Sequence, residues 1–231
     1  KYILDNKLYF ADYVKNYTNA SFLVNPDFKL PGENGGVFSG FKDGKYEKDT
    51  WSYQKGPDEV IKKDPTLSDP NCVFQLLKKH YSRYNLDVVS KITGTPKDKL
   101  VEVYKLYAST GKPNKAGVEL YAMGWTQHTV GTQNIRTMCI IQLLLGNMGI
   151  AGGGIAAMRG ESNVQGSTDH GLLFHIWPGY LNTPTGSLAT LAIYNEKQTP
   201  KTKEKDSLNW WKNKPKYVAS FLRSMYGPDM T

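Results

Sequence analysis

Residues 121–179 read YAMGWTQHTVGTQNIRTMCIIQLLLGNMGIAGGGIAAMRGESNVQGSTDHGLLFHIWPG, and the rest of the chain is organised around them. They hold 11 of the 22 glycines but only four charged residues, Arg136, Arg159, Glu161 and Asp169, so this is no ordinary solvated loop. It is not a plain core either, because it carries Gln127, His128, Asn134, Asn163, Gln165 and Thr168. Polar groups taken out of water destabilise a fold unless they are hydrogen-bonded. These side chains are therefore expected to line a cavity and bond a large polar ligand. Glycine serves that purpose, since it lets backbone approach a ligand closely.

Local patterning frames the stretch. VELYAM over 118–123 reads as a strand buried on both faces, as in a parallel sheet with helices on either side. A polar turn over 124–131 follows, then a helix from about Thr132 to Leu145 stopped by Gly146. A short strand over 155–158 leads to Arg159-Gly160. Strand, glycine-bearing loop and helix together outline a nucleotide-binding half-unit, although its spacing is not GxGxxG. Open parallel sheets collect ligands beyond the carboxyl ends of their strands, which puts 124–134 and 160–166 at one site. A pyrophosphate near 131–134 is natural, because helix N-termini offer unpaired N–H groups and a positive dipole end.

Upstream, Asp69 as cap and Pro70 at the first helical position introduce an apolar stripe of Val73, Leu76, Leu77, His80, Tyr81 and Tyr84. His80 on that stripe reads as a satisfied core histidine. A short helix over 86–92 ends at Gly94, and Thr95-Pro96-Lys97-Asp98 reads as a capping box before the stripe Leu100, Val103, Tyr104, Tyr107 and Ala108. Residues 1–20 suggest one short helix, and 25–69 turns with a hairpin at Asp43-Gly44. Downstream, 172–181 reads as wall or core, 183–216 as loop and 217–225 as a last helix. The expected division is an irregular and helical segment over 1–84 and an α/β portion over 85–231.

Composition excludes several classes. The net charge of +8 comes from 29 basic residues, of which only Arg83, Arg136, Arg159 and Arg223 are arginine. The lysines are scattered through the flanks, so a solvated basic surface is the reading and a nucleic-acid partner is not. The uncharged run between Arg136 and Arg159 is long enough to span a bilayer. It contains Gly146, Gly149 and Gly152-Gly153-Gly154, which a lipid-exposed helix does not tolerate. Two cysteines, Cys72 and Cys139, cannot alone supply the four thiolates of an iron–sulfur cluster, and no redox compartment follows from them. No secretory leader is visible.

The run 124–134, GWTQHTVGTQN, followed by 159–169, RGESNVQGSTD, resembles the large subunit of formate dehydrogenases in the molybdopterin oxidoreductase superfamily, respiratory and periplasmic in type. The resemblance covers most of the chain, including CVFQLLKKHYSRYNLDVV over 72–89. That subunit is several times longer, so the resemblance implies an internal piece of it. It also implies an α/β fold, a Rossmann-like parallel sheet layer with flanking helices inside a larger enzyme. The implied cofactor is bis-molybdopterin guanine dinucleotide with Mo or W, and a 4Fe-4S cluster belongs to another part of the subunit. The implied partners are the rest of the same subunit, an iron–sulfur electron-transfer subunit and, as a further candidate, a membrane cytochrome subunit. Formate is the implied substrate, and the implied location is the periplasm.

On the same resemblance, Arg159 is the substrate-binding arginine and Thr168 a pocket residue beside it. Met123, Gly124, Trp125, Gln127, His128, Gly131, Thr132, Asn134, Gly160, Glu161, Asn163, Gln165 and Gly166 are the implied cofactor contacts. Chemistry supports the first assignment independently. A guanidinium fork stays protonated and matches a carboxylate bidentately, and formate is the smallest carboxylate. The plain alternative is a surface pair of Arg159 with Glu161 or Asp169. Gln127, Asn163 and Gln165 each offer donors and an acceptor to the mixed edges of pterin and guanine. His170 and His175 are weaker candidates, and His175 reads as structural. The metal-ligating Cys or selenocysteine and its neighbouring His are not in this sequence, so no metal ligand is assigned. Two other readings stay open at this point: a relative acting on a different small oxyanion, and a non-catalytic nucleotide-binding module.

Overall fold

Short-range chemistry fixes a few helix ends and turns. The computed structural model describes residues 1–173 and 175–230, in two compact units, Lys1–Met158 and Arg159–Thr231. The first unit opens with helices α1 (Tyr2–Asp5) and α2 (Ala11–Tyr17). A hairpin follows, with β1 (Phe41–Lys42) antiparallel to β2 (Lys45–Tyr46). Asp43 and Gly44 both take positive φ between those strands, the conformation a two-residue hairpin turn requires. Phe38 packs against Phe28, Tyr46 and Trp51 beside it, giving this excursion a small aromatic centre.

Helices α3 (Val73–Tyr81), α4 (Leu86–Thr93) and α5 (Lys97–Ala108) come next. In α4 the Asn85 side chain caps Val88 N–H at 2.9 Å and Gly94 closes in the left-handed region. Two expected caps are absent. The Asp69 side chain turns instead onto Asn71 N–H at 2.7 Å, and α3 starts at Val73 with Cys72 at its cap. The box at Thr95 does not form, because Pro96 itself occupies the cap of α5. His80 is also not core: it is exposed and accepts from Arg83 at 2.9 Å. Partial burial and then the Arg83 charge lower its pKa.

The frame of this unit is β3 (Val118–Tyr121), the helical turn α6 (Met123–Thr126), α7 (Gly131–Leu145) and β4 (Gly154–Ala157). The two strands pair in parallel, Val118 opposite Gly154 through Tyr121 opposite Ala157. Gly146 ends α7 at φ 76, as its sequence indicates. The expectation of a strand buried on both faces fails. Glu119 and Tyr121 are half-buried, whereas Val118 and Leu120 are 46% and 59% exposed. One face of β3 meets protein and the other meets solvent, whereas β4 is at least half-buried throughout.

A buried polar knot holds the frame. Gln142, fully buried on α7, donates to Gly117 O at 3.0 Å and to Gly154 O, tying the start of both strands to the helix. Asn147, also fully buried, donates to Gln142 Oε1 at 2.8 Å and to Thr110 Oγ1 at 2.9 Å, and accepts from Gly117 N–H at 2.9 Å. Beside it the Tyr107 hydroxyl is buried without a well-formed hydrogen bond. Burial, and secondly the charge of Glu119, push its pKa far above the usual phenol value. The apolar core joins Leu4, Val14, Ala20, Leu67, Cys72 and Phe74 to Leu144, so the first third of the chain packs on the end of α7.

The second unit contains α8 (Val164–Asp169), the antiparallel pair β5 (Ile176–Trp177) and β6 (Leu181–Asn182), α9 (Leu191–Gln198) and α10 (Lys214–Tyr226). Its core is Leu181, Leu188, Tyr194 and Val218 with Trp177, Ile193, Phe221 and Leu222 around it. Trp177 and Leu181 fit the expectation of wall or core for 172–181, whereas Leu172, Leu173 and Tyr180 are exposed and do not, and Phe174 lies outside the described residues. Helix α9 corrects the loop expected there; the Thr190 side chain caps it by accepting from Ile193 N–H at 3.2 Å. Among the described residues, no helix is long and apolar enough to cross a membrane.

Candidate functional site

The first candidate segment starts where β3 ends. The polar turn expected over 124–131 is partly helical, because α6 takes Met123–Thr126 and Thr126 Oγ1 donates back to Ala122 O at 3.1 Å. His128 Nδ1 contacts Gly124 O. A carbonyl only accepts, so Nδ1 donates in this contact, and the tautomer that does so has its acceptor at Nε2. Gly131 is buried, and an added Cβ there would press on the carbonyl oxygens of Trp125 and Thr126. Gly131 is therefore required by packing. Gly124 is different: nothing lies within 4 Å of its Cβ position.

The start of α7 is less open to an anion than its sequence implies. Gly131 N–H bonds His128 O, and the N–H groups of Gln133 and Asn134 both bond Val130 O. Among the described residues, only Thr132 N–H of the first four has no backbone acceptor. Met123, Trp125 and Val130 are exposed beside Gln127, His128 and Thr132, while Asn134 is half-buried. This surface is amphipathic and faces solvent; the side chains are not gathered into an enclosed cavity.

The second segment opens the second unit. Arg159 is exposed and makes no ion pair among the described residues, so it does not form the surface pair with Glu161 or Asp169. Gly160 has nothing within 4 Å of its Cβ position, and Glu161 is exposed. Asn163 takes φ 55 at the cap position just before α8, with its side chain lying where a Cβ on Gly166 would sit. Gln165 donates to Tyr180 Oη at 3.4 Å, and Thr168 Oγ1 donates to Val164 O at 2.9 Å. Asp169, which the sequence marks only as one of few charges, carries a buried Oδ1 with no hydrogen-bond partner. His170 and His175 are exposed.

Two clefts lie elsewhere. One of about 360 Å³ lies among Tyr2, Tyr84, Val89, Tyr104 and Tyr107, and one of about 250 Å³ among Trp177, Leu188, Tyr194 and Val218. Among the described residues, no group of three or more His, Cys, Asp or Glu is placed to hold a metal. Cys72 and Cys139 are free thiols; Cys72 is buried, which raises its pKa.

The chain is 56% identical, over 99% of its length, to formate dehydrogenase subunit alpha of Megalodesulfovibrio gigas. It is 54% identical over 100% of its length to formate dehydrogenase 2 subunit alpha (cytochrome c-553) of Nitratidesulfovibrio vulgaris. It is 50% identical over 98% of its length to the nitrate-inducible formate dehydrogenase major subunit of Escherichia coli. The chain spans 22%, 23% and 22% of these relatives, about a fifth of each. No protein-family model matches it.

Proposed function

Since the chain belongs to the formate dehydrogenase alpha-subunit family, we propose that it forms the cofactor-binding middle of a catalytic subunit that oxidises formate to carbon dioxide. The observation that carries this is the 56% identity over 99% of the chain. In this reading 85–231 belongs to the domain that binds bis-molybdopterin guanine dinucleotide with Mo or W, and 1–84 packs on the rest of the subunit. A 4Fe-4S cluster held elsewhere in the subunit and an iron–sulfur subunit would carry the electrons away. The relative named for cytochrome c-553 supports a cytochrome as further acceptor, and a periplasmic location belongs to the same reading.

The residues present fit such a group. In the first unit Gly124 leaves open space for ring or phosphate and Thr132 N–H is available to an oxygen; in the second, Gly160 leaves open space of its own. In the first unit Gln127 would meet a pterin or guanine edge, with Trp125 and Met123 against a ring face and His128 beside them; in the second, Asn163 and Gln165 would meet such edges. Glu161, Asn134, Gly131 and Gly166 shape those two segments. When bound, the metal–pterin group accepts the electron pair of formate oxidation.

The chain's own contribution to turnover is positional. Arg159 holds the formate carboxylate by both oxygens and so fixes where its C–H bond points. Gly160 keeps the space beside the guanidinium clear. The Thr168 hydroxyl already donates to Val164 O, so Thr168 acts as pocket wall and does not compete for the carboxylate.

Arg159→Lys and Arg159→Met in the full-length enzyme test this. A hydrogen bond to a charged group contributes roughly 1.5–3 kcal/mol, so its loss lowers formate kcat/KM by about tenfold to a hundredfold. Met lowers it further than Lys, with metal content per polypeptide kept. Formate kinetics per metal unchanged in the Met variant would refute the assignment.

A further inference from the structure

Exposed aromatic side chains recur along the chain, and in 201–217 they coincide with charge of mostly one sign. This stretch, KTKEKDSLNWWKNKPKY, carries six lysines against Glu204 and Asp206. The hairpin stretch 41–51, FKDGKYEKDTW, also exposes aromatics, yet its three lysines are matched by Asp43, Glu47 and Asp49. In 201–217, Lys201, Lys203, Lys205, Lys212 and Lys216 are exposed. Leu208 and Trp210 are 75% and 66% exposed, and Trp211 and Tyr217 face solvent as well.

The sixth lysine holds this surface still. One helical turn, Trp210–Asn213, runs directly into α10, whose first residue, Lys214, is buried. Its ammonium donates to Gln198 O at 3.1 Å and lies 5.4 Å from the centre of the Tyr194 ring, in the core of the unit. One turn on, Val218 is fully buried. On the outside the rings of Trp211 and Tyr217 meet edge to face, 6.1 Å apart at 84°. Aromatic side chains fixed in this way give up little conformational freedom on binding.

We propose that Leu208, Trp210, Trp211 and Tyr217, with the lysines that flank them, form a docking surface for a separately folded, acidic protein. Exposed Trp and Tyr with a charged surround is the anatomy of interfaces between proteins. Lysine heads at the border of such an interface stay in water and meet carboxylates. Burial under another layer of the same chain would strip those ammonium groups of water. A second copy of this chain is a poor occupant, because each copy has a net charge of +8 and presents the same lysines. A lipid surface takes the apolar face of an amphipathic helix, and α10 turns that face inward through Val218, Phe221 and Leu222.

The test uses the full-length enzyme isolated with the polypeptides that accompany it. A benzophenone amino acid replaces Trp210, and illumination joins it to whatever lies against this surface. The expected adduct links the subunit to a different polypeptide, at a surface stretch with more Asp and Glu than Lys and Arg. A cross-link within the subunit's own chain, to a second copy, to lipid or to nothing overturns the proposal. Trp211→Ser should raise the dissociation constant of that pair, measured by sedimentation, about thirtyfold or more, the size of a hot-spot loss. Lys212→Glu with Lys216→Glu, both at exposed positions, should weaken the pair most at low salt. Association unchanged in both variants, or a charge-reversal effect that salt does not diminish, overturns it. Dye-linked formate oxidation should stay at the wild-type rate in both. Its loss together with the association would make these residues structural and overturn the proposal.

Discussion

Gln142→Met isolates the polar knot at the base of the β3–α7–β4 frame. Gln142 is fully buried and makes three hydrogen bonds, to Gly117 O, to Gly154 O and from Asn147. Met is of similar length and apolar, so packing volume is nearly kept and the loss is polar. Each bond contributes about 0.5–1.5 kcal/mol net, giving roughly 1.5–4.5 kcal/mol for three. The upper half of that range applies if Asn147 Nδ2 loses geometry toward Thr110 Oγ1, now its one remaining acceptor. For a chain of this size, 1 kcal/mol moves the midpoint by about 2–4 °C, so the variant should unfold roughly 5–15 °C early. Circular dichroism melts at fixed concentration measure this, and Gln142→Glu should be worse, since it sets a carboxylate against carbonyl oxygens. A Met variant within about 0.5 kcal/mol of wild type, the usual scatter of surface changes, would refute the reasoning.

Asp64 accepts from Thr66 Oγ1 and from the N–H groups of Asp69, Thr66 and Ser68, with the Thr66 hydroxyl bond chief in lowering its pKa from 3.8 to about 2. A depressed carboxyl adds stability above its unfolded value and loses it as pH falls through the folded one. Asp64→Asn should therefore flatten acid unfolding between about pH 4 and about pH 2, and an unchanged pH profile would exclude that role. Among the glycines, Gly124→Ala and Gly160→Ala should leave the midpoint of the chain unchanged, whereas Gly131→Ala should destabilise it by roughly 1–3 kcal/mol through overpacking. Cofactor content lost at Gly124 or Gly160 with the midpoint kept would report close approach of ligand to backbone.

Where one short interaction decides an element, the sequence is a good guide. Asn85 and Gly94 bracket α4, Gly146 ends α7, and Asp43-Gly44 turns the hairpin, because each works within a few residues. Where two local interactions compete, it is a poor guide. The Asp69 carboxyl can cap a helix or close a turn onto Asn71, and it does the second. Proline at 96 takes the cap position and biases Thr95 toward extended backbone, which dissolves the box. Helix α9 carries no apolar period to announce it; Tyr194 is its buried anchor, and Thr190 sets its start. The composition of VELYAM reflects a strand meant for a sheet covered on both sides, and composition cannot say whether 231 residues include that cover.

For the site, residue types were legible but their reasons were not. A glycine kept for packing and one kept for a ligand look alike in sequence; only an added Cβ separates Gly131, pressed by carbonyls, from Gly124, which faces open space. The polar side chains pose the same ambiguity. Gln127, His128, Asn163 and Gln165 stand at the surface, where water satisfies them, so burial cost alone does not demand a ligand for them. The exposure of Met123, Trp125 and Val130 beside Gln127 and His128 argues more strongly, because flat heterocycles have apolar faces and polar edges, and such a surface complements both.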